Sequence, residues 1–301
     1  MKFLLTAINA KFIHSNPSIY SLRAGVGEKL QPYVELAEFT INESLESILE
    51  GIWKRQPKVI GFSCYIWNWK LIREILTELP KILPDTEIWL GGPEVTYDGP
   101  GLLSEFPQVT GIMVGEGEVT FREVLGQYVR EAESTGQSEQ QPEPDSIEQQ
   151  AADRTGTLAG KSVAERFGQI PGLCLASGYT APRELTDLTT LPFLYEDMEP
   201  FTNRIIYYET SRGCPYRCSY CLSSIDKKVR LRDIDVVKRE LQFFLDQNVK
   251  QVKFIDRTFN CDHKHAMEIW EYIYKHDNGV TNFHFEISAD ILREEEIVLL
   301  N

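Results

Sequence analysis

Three cysteines within eight residues carry the densest chemistry in this chain: Thr210-Ser211-Arg212-Gly213-Cys214-Pro215-Tyr216-Arg217-Cys218-Ser219-Tyr220-Cys221. Their spacing, C-x3-C-x2-C, falls in a loop directly after a strand-like run. Three thiolates on one tight loop match three irons of a cubane cluster, and with no fourth cysteine close in sequence one iron keeps an open position for another ligand. Gly213 and Pro215 suit a chain that folds back on itself. Arg212 and Arg217 bring positive charge that favours thiolate over thiol. A second donor set is open, a zinc knuckle completed by Cys261, His263 or His265, although zinc sites usually repeat C-x2-C twice. Cys64 and Cys174 are isolated among apolar residues and read as buried thiols, and Cys261-Asp262-His263-Lys264-His265 reads as a helix start before it reads as a metal site.

Such a loop needs elements to hold it. After Asn203 the pattern predicts strand Ile205–Thr210, helix Asp235–Gln247, strand Gln251–Ile255, helix Lys264–Lys275, strand Phe283–Ile287 and a helix from Arg293. Three parallel βα units cannot close a barrel, so more chain or a partner is expected to complete it. Carboxyl ends of barrel strands face the chemistry, which makes Asp256, Arg257, Asn260, Glu286 and Ser288 candidate ligand-binding residues. Upstream, five short apolar runs (Phe3–Ile8, Val34–Phe39, Val59–Cys64, Glu87–Leu90, Gly111–Val114) alternate with helical periods. One of these is Leu45, Ile48, Leu49, Ile52 and Trp53 behind an Asn42 cap. Five such units predict an α/β fold of the flavodoxin-like, doubly wound parallel type. Its ligand crevice lies outside the strands' carboxyl ends, at Asn9–Pro17, Ser63–Trp69, Gly91-Gly92-Pro93-Glu94 and Gly115-Glu116-Gly117-Glu118. The expected organisation is a doubly wound domain over 1–130, a disordered acidic insertion over 131–169, a bridging arm over 170–202, and the first part of a barrel over 203–301.

At 42% hydrophobic and 25% charged the 301 residues suit a core-forming globular chain and exclude disorder throughout. The net charge of −14 argues against coating nucleic acid or an anionic membrane and points to a small-molecule partner. Half of that charge comes from seven acidic residues between 131 and 153, where Lys and Arg are absent, so it says little about the ligand. No apolar run approaches the roughly 20 residues of a membrane span, and the start lacks a signal-peptide core, so a cytoplasmic location is expected. Gly25-Val26-Gly27 lacks the third glycine of a dinucleotide fingerprint, and no Walker sequence occurs.

On its C-x3-C-x2-C loop, with aromatic Tyr220 before the last cysteine, the chain resembles the radical S-adenosylmethionine (radical SAM) enzymes. With Gly-Gly-Pro-Glu after its fourth strand and Gly-Glu-Gly-Glu after its fifth, the doubly wound domain looks like the cobalamin-binding branch of that family. The resemblance covers nearly the whole chain apart from the insertion. It implies that Cys214, Cys218 and Cys221 ligate a 4Fe-4S cluster whose open iron chelates S-adenosylmethionine, with Tyr220, Asp256, Glu286 and Ser288 on that cofactor. One electron then cleaves S-adenosylmethionine to methionine and a 5′-deoxyadenosyl radical. It implies cobalamin at Asn9, Ser63, Tyr65, Gly91, Gly92 and Glu116. Trp67 and Trp69 would stack on the corrin or pack the next helix, the latter being favoured. The sequence departs from the corrinoid signature Asp-x-His-x-x-Gly: the first loop carries His14 without the Asp or the Gly, which leaves the lower ligand of cobalt open. The implied reaction is cobalamin-dependent methyl transfer to an unactivated carbon, with a small-molecule substrate and an electron donor as partners. The alternatives are a radical rearrangement or cyclisation whose first domain binds no cobalamin, and a non-enzymatic zinc-binding module. Isolated Cys64 and Cys174 do not furnish the second cluster of methylthiotransferase relatives. Substrate and oligomeric state are not legible.

Overall fold

The computed structural model describes residues 1–136, 161–226 and 228–301. They divide into two compact units, Met1–Lys11 with Ser18–Thr186, and Phe12–Pro17 with Asp187–Asn301.

In the first unit the chain runs β1 (Phe3–Asn9), α1 (Pro17–Gly25), β2 (Val34–Thr40), α2 (Leu45–Arg55), β3 (Val59–Ser63), α3 (Trp69–Ile82), β4 (Glu87–Gly91), α4 (Gly99–Glu105), β5 (Val109–Met113), α5 (Gly117–Gly136), α6 (Val163–Phe167), β6 (Leu173–Leu175) and β7 (Gly178–Tyr179). The sheet order is β2-β1-β3-β4-β5-β6-β7. The first five strands are parallel. This is the doubly wound order expected, with its reversal between β1 and β3. Every residue of β1 is buried, as a parallel strand covered on both faces requires. Side chains alternate along it. Leu4 and Ile8 enter a core with Ile48, Ile52, Ile72, Ile75, Leu76 and Leu79. Phe3, Leu5 and Ala7 enter the opposite core with Ile19, Phe121, Val124, Leu125 and Tyr128.

Three expectations are corrected. Helix α2 is capped by Ser44, whose side chain accepts from the Ser47 amide, and not by Asn42. The expected bridging arm begins too early: β6 and β7 extend the first sheet antiparallel to β5, and residues through Thr186 belong to that unit. The expected insertion starts too early and ends too late. Helix α5 continues to Gly136, and α6 returns behind a Ser162–Glu165 capping box. Arg166, its side chain 5% exposed, bonds Glu87 and Glu131 and lies over the Tyr128 and Phe167 rings. Glu131, counted among the seven acids of that stretch, is thus held by a base beyond it. Residues 137–160 lie outside the described residues.

The second unit continues with β8 (Ile206–Tyr208), β9 (Ser211–Arg212), β10 (Arg230–Leu231), α7 (Ile234–Asp246), β11 (Gln251–Phe254), α8 (His263–His276), β12 (Asn282–His284) and α9 (Glu294–Leu300). Strands β8, β11 and β12 form a parallel sheet in the order β12-β11-β8. Asp233 caps α7 through two backbone amides, and Asp262 caps α8, as its position in Cys-Asp-His-Lys-His suggested. Phe244 of α7 packs edge-on to Tyr208, and Phe254 meets Phe259 and Phe285. The strands are shorter than expected: past Tyr208 the chain is held by Asp256, and past Phe254 by the Ile255 amide, which donates to the Tyr208 carbonyl. Segment Phe12–Pro17 joins this unit. His14 bridges Ile205 in parallel, Ser15 Oγ donates to the Ile205 carbonyl, and the Ile205 amide donates to the Ile13 carbonyl.

Candidate functional site

At the carboxyl end of β8 the chain enters the cysteine loop through a neck. Strands β9 and β10 pair antiparallel, Arg212 opposite Arg230. Gly213 follows at φ +99°, where a Cβ would sit 2.5 Å from the Lys228 carbonyl oxygen, so the loop closes only over glycine. The Cys214 amide donates to the Asp226 carbonyl, and Arg230 pairs with Asp226.

Buried polar groups fix both sides of this neck. Asp256, directly beyond β11 and 1% exposed, accepts from the Thr210 amide, the Thr210 hydroxyl (2.6 Å) and the Ser211 hydroxyl (2.6 Å). Burial raises its carboxyl above the ordinary range, against the lowering effect of the bonds from Ser211 and Thr210. Arg232, just past β10, makes a bidentate pair with Glu240 of α7 at 2.7 and 2.8 Å. Tyr208 Oη donates to the same carboxylate, and the Arg232 amide donates to the Thr210 carbonyl. Asn260, fully buried, exchanges two 2.9 Å bonds with the backbone of Ser288. Ser288 Oγ also lies 3.2 Å from Tyr216 Oη of the cysteine loop.

The expected ligands therefore divide. Asp256 holds the Thr210 amide and the hydroxyls of Thr210 and Ser211, and Asn260 holds the backbone of Ser288. Glu286 pairs with Lys253, and its carbonyl accepts from the Phe259 amide. Tyr220 is 91% exposed. Of the three thiols Cys214 is buried, Cys221 is half-buried and Cys218 is exposed. The Ser223 amide and hydroxyl, helped by the charge of Arg257, hold the Cys221 thiol below its usual range. Among the described residues no three His, Cys, Asp or Glu side chains stand together as a ready-made metal set. The donor chemistry fits an iron–sulfur cluster: three thiols on one closed loop, one already biased toward thiolate. Of the zinc-completing residues, His263 bonds buried Glu296, and His265 lies in the first turn of α8, where burial lowers its pKa. Sequence reading missed Thr258, whose Oγ1 lies 3.4 Å from Cys214 Sγ, and the Arg232–Glu240 pair. The signal for the first was its place two residues past Asp256; the second had none.

The carboxyl ends of β1, β3 and β4 carry Asn9, Ser63 and Gly91. Asn68, fully buried, ties the first two: its Nδ2 donates to the Ile8 and Ser63 carbonyls, and its Oδ1 accepts from the Tyr65 amide. Asn9 donates to Glu38, and Glu116 accepts from the Thr186 amide. Gly92, at φ +109°, allows the Cys64 carbonyl to approach where a Cβ would be 2.5 Å away. Tyr65 bonds Ser18, and Trp67 stacks on it at 4.3 Å and 9°. Trp69 packs against Phe106, as favoured, whereas Trp67 stays exposed beside Ile66, which is 81% exposed. His14 lies in the second unit, bonded to Tyr207. Cys64 and Cys174 are buried, as expected, and burial pushes both thiols up.

A doubly wound domain followed by parallel strands that bear a three-thiol loop defines a two-part α/β architecture. Family models agree, the B12 binding domain matching residues 4–125 and the radical SAM superfamily residues 208–300. The chain belongs to the radical SAM superfamily, in the branch with an amino-terminal B12-binding domain. It is 27% identical over 228 residues to 2-(S-pantetheinyl)-carbapenam-3-carboxylate methyltransferase of Streptantibioticus cattleyicolor, covering 72% of this chain and 29% of that protein. It is 24% identical over 271 residues to the anaerobic magnesium-protoporphyrin IX monomethyl ester cyclase of Rubrivivax gelatinosus, covering 85% of this chain and 44% of that one. The chain thus spans less than half the length of either relative. The structure of the radical S-adenosylmethionine methyltransferase TsrM from Kitasatospora setae superposes with a TM-score of 0.66 at 18% identity, over 100% of this chain and 57% of that one. No helix among the described residues is long and apolar enough to cross a membrane.

Proposed function

We propose that this chain is the cofactor-binding part of an enzyme that reductively cleaves S-adenosylmethionine and transfers a methyl group, with cobalamin, to an unactivated carbon of a small molecule. The observation that carries the reading is the C-x3-C-x2-C loop, closed by β9 and β10 at the carboxyl end of a parallel sheet. A 4Fe-4S cluster bound there would supply the electron that splits S-adenosylmethionine, and cobalamin on the first unit would supply the methyl group. Cys214, Cys218 and Cys221 would hold the cluster, and exposed Tyr220 is free to cover an adenine. Asp256 and Arg232 keep the loop's neck in register, so the three sulfurs start from a fixed base. On the first unit, Asn68 holds the loop that displays Tyr65 and Trp67, while Asn9, Ser63, Gly91, Gly92 and Glu116 line the strand ends. The electron donor is a separate protein or reductant, and a cytoplasmic setting suits an oxygen-sensitive cluster.

Ring cyclisation is the second reading, favoured by the 85% of this chain matched by the cyclase relative. Anaerobic reconstitution with iron, sulfide and hydroxocobalamin, followed by gel filtration and absorption spectroscopy, separates the two. Methyl transfer requires a corrinoid that co-elutes with the protein; its absence leaves the cyclase-type reading. With dithionite and S-adenosylmethionine the loaded protein is expected to release 5′-deoxyadenosine, and Cys218→Ala to release none. Zinc without acid-labile sulfide would sink both readings in favour of a zinc module.

A further inference from the structure

Thr258 reaches the first cysteine of the loop. Its Oγ1 lies 3.4 Å from Cys214 Sγ, and both side chains are buried, at 6% and 8% exposure. A cysteine sulfur bonded to iron carries no proton, so in that state the hydroxyl is the donor. Asp256, two residues upstream, takes its bonds from Thr210 and Ser211. Both ends of the contact are fixed. The Thr258 carbonyl accepts from the Cys261 amide, and Phe259 is wedged against Phe254, Phe285 and Trp270. On the other side the Cys214 amide is bonded to Asp226, and Gly213 lies against Lys228 with no room for a side chain.

We infer that Thr258 is a positioning residue that donates a hydrogen bond to the Cys214 sulfur and thereby raises the reduction potential of a cluster held on this loop. The one-electron reduced cluster carries one more negative charge, spread over its sulfurs, so a donor at one sulfur stabilises the reduced form more than the oxidised one. Burial strengthens the effect, because water does not replace or screen the bond. The inference rests on the cluster reading above and deepens it.

The test compares wild type, Thr258→Val, Thr258→Ala and Thr258→Ser, each reconstituted anaerobically as the full chain. Iron and sulfide are counted, and the midpoint potential is read by dye-mediated titration followed by electron paramagnetic resonance. In Thr258→Val and Thr258→Ala the equilibrium constant for reduction is expected to fall about three- to tenfold, the tenfold limit being 59 mV for one electron. Thr258→Ser is expected to match wild type. Equal potentials in all four fully loaded proteins would overturn the inference, as would a Thr258→Ser potential equal to that of Thr258→Val. If both hydroxyl-free variants take up no iron while Thr258→Ser does, the hydroxyl is needed to seat Cys214, which supports the contact. Wild type that takes up neither iron nor sulfide refutes the cluster reading, and this inference with it.

Discussion

In each parallel sheet one buried side chain ties neighbouring strands at their carboxyl ends, but the first unit uses an amide and the second a carboxylate. Asn68 gives both its protons to the Ile8 and Ser63 carbonyls and accepts from the Tyr65 amide. An amide can serve mixed partners in this way, donors and acceptors alike. Asp256 can only accept while ionised, and it meets donors alone: one amide and the hydroxyls of Thr210 and Ser211. The same contrast runs through the surroundings. The first site rests on apolar cores on both faces of its sheet, the second on a buried ion pair and a charged latch. The loop of the first site is thus fastened by neutral bonds, and the neck of the second by charged ones.

The largest expected effect breaks the charged side. Glu240→Ala strands the Arg232 guanidinium without its bidentate partner in a buried position, at a cost of about 3–5 kcal/mol. Urea unfolding should show this loss, and Arg232→Met with Glu240→Leu should recover most of it. A loss below about 1 kcal/mol in Glu240→Ala would mean that water reaches the pair and that the charged fastening contributes little. On the neutral side, Asn68→Ala removes three buried bonds at about 0.5–1.5 kcal/mol each, so a loss of about 2–4 kcal/mol is expected. Hydrogen exchange should open the loop after β3 and leave the β9–β10 neck protected.

A reciprocal swap sharpens the comparison through pH. Burial raises the Asp256 carboxyl, so the folded chain binds that proton more tightly than the unfolded one. Its contribution to stability is fully present below the ordinary carboxylate range and is lost as pH rises through the raised value. Asp256→Asn abolishes this slope, so the variant's stability relative to wild type should rise between about pH 4 and neutrality. Asn68→Asp should acquire the slope, because its ionised form faces the Ile8 and Ser63 carbonyls where the amide donated. Parallel pH profiles for wild type and Asp256→Asn would show that the latch does not titrate differently on folding.

These latches also mark how far the sequence could be read. Strands such as Phe3–Asn9 and Val59–Ser63 are legible because burial on both faces demands unbroken apolar runs. The cysteine loop is legible because its spacing is tied to one kind of chemistry. The bonds of Asp256 were not legible for a physical reason: a carboxylate at a strand's carboxyl end looks the same whether it meets a ligand or the hydroxyls of a neighbouring segment. Asn68, between Trp67 and Trp69, offers no periodic signal, and its three partners are backbone groups that any sequence carries. The insertion was drawn too wide because Glu131 finds its base, Arg166, beyond the acidic stretch. Partners far apart in sequence leave no local trace, which is why packing was readable and polar fastening was not.

The smallest expected effect on stability falls at Trp67, where the two sites differ most. Its ring lies flat on Tyr65 at 4.3 Å yet remains 46% exposed, so Trp67→Ala forfeits an aromatic pair worth about 0.5–1.5 kcal/mol and little buried area. Tyr65 stays anchored through Ser18, and the Asn68 bonds are untouched, so the loop should keep its course. Under the function proposed above, such a ring stands on the unit that would hold cobalamin and is free to cover part of it. Hydroxocobalamin retention by Trp67→Ala should then fall about tenfold while the urea midpoint barely moves, with Trp67→Phe between the two. If retention is unchanged, Trp67 is spare surface, and the corrin would have to rest on the glycines and strand ends alone.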